Sequence, residues 1–131
     1  VKLLTAMILA VGVLAWATAE PLPEAQRSAI EYRSVAEALA GLRGKPDTRI
    51  GMQGTWIIAH ELTLYVLWSF VPEEHPAYPA VIKRAFVAED GEIQMKMGIL
   101  CEAGKGACDA LRRDAIEQDE KLRAREQSSG R

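Results

Sequence analysis

Between Arg49 and Leu100 apolar and polar side chains alternate along the chain. That alternation restricts the fold more than any other feature of the 131 residues. Leu62, Leu64, Val66, Trp68 and Phe70 alternate with Thr63, Tyr65, Leu67 and Ser69, and Ile93, Met95, Met97 and Ile99 alternate with Gln94, Lys96 and Gly98. Successive side chains of a strand point to opposite faces, so each run describes a sheet with a buried face. Breaks at His60-Glu61, at Pro72 to Pro79 and at Asp90-Gly91 divide the stretch into four strands. Glu89-Asp90-Gly91-Glu92 carries the Asp-Gly pair of a tight hairpin, and Gly51 and Gly54 suggest a bulge in the first strand.

Helical spacing flanks this stretch on both sides. Ser34 followed by Glu37 forms a capping box, Val35, Ala38, Leu39 and Leu42 then share one face, and Gly44 and Pro46 end the helix. After Cys108, a stripe of Cys108, Leu111, Ala115 and Leu122 returns to helical period, with Asp109 in the favourable first turn. Glu117 with Lys121 and Asp119 with Arg123 are helix-spaced opposite charges. Cys101 and Cys108 are separated by six residues, two of them glycines, and a disulfide between them would pin the last strand to the last helix. The expected class is therefore α+β: a helix, a four-stranded antiparallel meander, a C-terminal helix and one disulfide. One or both helices should cover the sheet, which cannot bury its apolar face alone.

Residues 1–19 read as a cleavable signal peptide. Lys2 precedes an apolar run from Leu3 to Trp16, and Ala17-Thr18-Ala19 supplies small residues before Glu20. The expected organisation continues with an N-terminal arm over 20–33, a single domain over 34–126 and a flexible tail over 127–131. Cleavage leaves 112 residues, enough for one modest core. It removes only Lys2 among the charged side chains, so the net charge moves from −2 to −3. That balance argues against a nucleic-acid partner, which would call for a basic face. With the cysteine pair it points to a periplasmic or secreted domain that is free of the membrane once the signal is removed.

The connection from Trp68 to Arg84 is the most unusual segment. Pro72, Pro76 and Pro79 stiffen it and constrain the residues before them, and Tyr78-Pro79 is open to either isomer. Trp68, Glu73, His75, Tyr78, Lys83 and Arg84 are the candidate binding residues, since rigid display lowers the entropy cost of recognition. Lys83 and Arg84 are consecutive in a strand and should face opposite ways. His60-Glu61 reads as a solvated turn. No catalytic relay, metal-ligand spacing or cofactor motif is expected from these residues.

The run Leu67-Trp68-Ser69-Phe70, Pro72, His75-Pro76-Ala77-Tyr78-Pro79, Val81 and Lys83-Arg84, with the paired cysteines downstream, resembles a group of small exported proteobacterial proteins without an established function. The resemblance covers roughly Ser34 to Leu111, and its histidine-proline segment is the most specific part. Such proteins are sometimes labelled DnaJ-type chaperones. The J-domain signature is His-Pro-Asp between two helices, whereas here Ala77 follows His75-Pro76 and strands flank them, so a co-chaperone function does not follow.

The resulting expectation is an exported, non-enzymatic domain that binds a periplasmic protein or envelope component through the 72–84 segment. Two alternatives accompany it. One is a small hydrolase or isomerase using His75 with Glu73 or Glu74; the other is an inhibitor or immunity protein.

Overall fold

A computed structural model describes residues 30–130. The expected signal segment, most of the 20–33 arm and the last residue of the tail lie outside the described residues. Helix α1 spans Val35–Arg43. Five strands follow: β1 Thr48–Gln53, β2 Trp56–Glu61, β3 Val66–Phe70, β4 Ala80–Glu89 and β5 Glu92–Cys101. Helix α2, Lys105–Ser129, closes the order. The sheet is an antiparallel meander with its strands in sequence order.

The α+β class and the flanking helices are as the sequence implies, but the sheet has five strands rather than four. Gly54, at φ 59°, is not a bulge within one long strand. With Thr55 it forms the two-residue loop between Gln53 and Trp56, which pair across it, in the position where tight hairpins place glycine. His60 and Glu61 are not a break either, since both lie in β2 and pair with Leu67 and Val66. The break comes at Leu62 to Tyr65, and there Leu62 and Leu64 are exposed instead of continuing the buried alternation. The Asp90-Gly91 turn is where the sequence places it. Both residues have positive φ, 51° and 80°, as this hairpin type requires.

Each face of the sheet packs against one helix. On the first face Val35, Ala38 and Leu42 of α1 meet Ala59, Val66, Trp68, Phe70, Val81 and Ala85. The Ser34 cap of α1 is as expected, its Oγ accepting from Glu37 N–H at 3.1 Å, but the return bond of the box is shifted by one residue: Glu37 Oε2 accepts from Arg33 N–H, at 3.1 Å, in place of Ser34 N–H. Gly41 lets Tyr32 lie against this helix, because a Cβ there would sit 2.7 Å from Tyr32 Cε1; the Tyr32 ring in turn meets Trp68 edge-on at 5.7 Å. On the second face Leu111 and Ala115 of α2 pack with Val71, Ala77, Ala80 and Ile82. The Cys101–Cys108 disulfide, with Cα atoms 5.8 Å apart, ties the end of β5 to the first turn of α2.

Candidate binding groove

The sequence-predicted site residues separate onto different parts of this frame. Trp68 is fully buried beneath α1, where its Nε1–H donates to Glu61 Oε2 at 2.7 Å. The same carboxylate accepts from Lys45 Nζ at 2.6 Å, and that bond raises the Lys45 pKa above its ordinary value. Lys83 is on this face too, with Nζ 5.0 Å from the Trp68 ring centroid and 3.0 Å from Glu31 Oε2. The alternation of β4 then sends Arg84 to the opposite face.

The 72–79 connection stands at the end of the sheet. Tyr78-Pro79 is cis, Tyr78 and Glu73 are exposed, and His75 is half-buried. His75 Nδ1 accepts from Ala77 N–H at 3.0 Å, and the imidazole meets Trp56 edge-on at 5.6 Å. Among the described residues no carboxylate is hydrogen-bonded to His75. Its arrangement folds the loop back on itself rather than forming an acid-base relay.

What the structure brings together instead is a groove on the second face. Its floor carries Ile58, Leu67, Ser69, Ile82, Arg84 and Phe86, its roof is the distal half of α2, and it encloses about 1290 Å³. Near its start α2 packs down through Ala107, Leu111 and Ala115 onto Val71, Ala77, Ala80 and Ile82. Farther along, Arg84, Phe86 and Leu122 line open space. Phe86, Ile93 and Leu122 remain exposed at 42%, 79% and 51%.

Arg84 is the polar centre of this groove. Its Nε–H donates to Asp119 Oδ1 at 2.9 Å, with both side chains about nine-tenths buried. Asp119 thus pairs across the layers and not with Arg123 along its own helix. The sequence carried a sign of it: Asp119 continues the Leu111–Ala115 stripe, so a carboxylate there faces inward and needs a partner. A smaller hollow of about 480 Å³ adjoins the groove through Trp56, Ile82 and Gln118 and reaches His75. On its rim Lys121 Nζ bonds Glu117 Oε1 at 2.7 Å and holds that carboxyl below its ordinary pKa.

No protein-family model, curated protein or solved structure matches this chain. The reading of the groove therefore rests on its own chemistry.

Proposed function

We propose that this chain is an exported, non-enzymatic binding domain whose ligand lies in the groove between the sheet and α2. The observation that carries the reading is the groove itself: aliphatic side chains and polar ones around one buried ion pair, left open among the described residues. Pockets that orient ligands combine a largely apolar lining with a few placed polar groups. Export is supported by the signal-like composition of residues 1–19 and by the disulfide, which suits an oxidising compartment. The 72–84 segment contributes differently from the sequence expectation. Arg84 lies in the groove and His75 in the smaller hollow beside it, whereas Trp68 and Lys83 serve the α1 face.

The test is to titrate the purified oxidised domain with fractionated envelope extract and follow Trp56 emission. Trp56 lines the groove and Trp68 is sealed on the other face. Ligand-bearing fractions should shift the emission of the wild type and leave Leu122→Asp unchanged. Leu122 is half-exposed, so this variant should retain the fold. An equal response from Leu122→Asp overturns the groove reading.

A further inference from the structure

We infer that the ligand of this groove is an uncharged or weakly basic apolar peptide in extended conformation, with the C=O and N–H of one residue bound by Arg84 and Asp119. The inference rests on the groove reading above and goes beyond it by naming the ligand's chemistry. No described residue other than Asp119 accepts from Arg84, and none other than Arg84 donates to Asp119. A guanidinium carries several N–H donors and a carboxylate accepts at both oxygens, so their mutual bond leaves both with capacity to spare. That capacity is not sealed in protein. Among the described residues the one buried side-chain polar atom without a partner is Thr48 Oγ1, and both members of the pair line the groove.

A donor and an acceptor side by side match one residue of an extended chain, whose own C=O and N–H point to the same side: the C=O accepts from the guanidinium while the N–H donates to the carboxylate. Elsewhere in the lining are Gln53, Gln94, Gln118 and Gln127, each with a donor and an acceptor of its own. The rest of the lining distinguishes a peptide from other amphipathic ligands. Three acidic side chains, Glu92, Asp119 and Glu126, face two basic ones, Arg84 and Arg123, so a fatty carboxylate or an acidic peptide meets a net negative wall. The lining carries two aromatic side chains, Trp56 and Phe86, beside the aliphatic Ile58, Leu67, Ile82, Ile93 and Met95, so an oligosaccharide is a competing ligand class that the experiment must separate. Aliphatic pockets beside an amide-reading pair suit alternating side chains of an extended segment.

The experiment uses the oxidised protein and a short fluorescent peptide of Leu, Val and Ser with acetylated and amidated ends, read by anisotropy. Dodecanoate and an N-acetylglucosamine oligosaccharide serve as competing probes. The capped peptide should bind, and replacing two of its serines by Asp, or methylating its central amide nitrogen, should weaken it about tenfold or more, the equivalent of a lost charge-assisted hydrogen bond. Arg84→Met with Asp119→Leu removes the pair without leaving a lone buried charge, and should weaken binding by a similar factor while a thermal melt shows the fold retained. If that double variant or the N-methylated peptide binds as the originals do, the amide assignment is wrong. If dodecanoate or the oligosaccharide binds in place of the peptide and Leu122→Asp abolishes it, the ligand class is wrong and the groove reading stands. Peptide binding that is indifferent to Leu122→Asp and Ile93→Asp, or no binding by any probe, overturns both.

Discussion

Glu61 is 2% exposed, yet both of its oxygens are engaged, one by Trp68 Nε1–H and one by the Lys45 ammonium. A buried carboxylate is tolerable only on such terms. Glu61→Gln keeps an acceptor for the indole and loses the charge pairing, so it should cost about 1 kcal/mol; Glu61→Ala also orphans the buried indole N–H and should cost about 3 kcal/mol, by urea denaturation. The pair also predicts a pH dependence. Lys45 has a folded pKa above its ordinary 10.5, chiefly through its hydrogen bond to Glu61. Its contribution is complete below that ordinary value and is lost as pH rises through the raised folded value. Lys45 is partly solvent-screened, so the effect is modest, but the urea midpoint of the wild type should fall in that alkaline window by more than that of Glu61→Gln.

At the scale of elements, α2 has one half fastened by the disulfide, Leu111 and Ala115, and another fastened by Asp119 to Arg84. Asp119→Ala leaves an unpaired buried guanidinium and should cost about 3 to 5 kcal/mol, whereas Arg84→Met with Asp119→Leu should return to within about 1 kcal/mol of wild type. Amide hydrogen exchange should show the same division, with residues after Asp119 losing protection first in Asp119→Ala and those around Leu111 later. Elements specified by neighbouring residues were legible in the sequence: the Ser34–Glu37 cap of α1, the Asp90-Gly91 hairpin, and the opposite facing of Lys83 and Arg84. Those needing a distant partner were misread. Gly54 signals a bulge or a turn equally well until the pairing of Gln53 with Trp56 is known, and Glu61 reads as surface until Trp68 and Lys45 are found to reach it. Of the groove only Arg84 was legible, with His75 in the hollow beside it, because a groove depends on how far a helix stands from a sheet and no local pattern encodes that separation.

Among the described residues the two faces of the sheet differ: under α1 Trp68 and Leu42 are fully buried, whereas under α2 a groove stays open. The disulfide belongs to the open face, where it fixes the point from which the helix leaves the sheet. Closing so short a loop contributes about 2 to 3 kcal/mol in the chain-entropy model, so Cys101→Ala with Cys108→Ala should lower stability by that amount. The loss should not be shared evenly by the two faces. Trp56, beside α2, should become more accessible to an acrylamide quencher, while Trp68, held by Glu61 and α1, should stay protected until global unfolding. Equal quenching of both indoles, each read in the variant with Phe at the other position, would show that the bond stabilises the domain generally and does not set the groove. The same bond links fold to compartment, because the groove would keep its geometry only where thiols are oxidised. Mass spectrometry of protein recovered outside the cytoplasm should therefore find a chain beginning at Glu20 and lighter by the two thiol hydrogens. A mass retaining residues 1–19, or one with free thiols, overturns the export reading and leaves the groove to be explained without the disulfide that the structure places beside it.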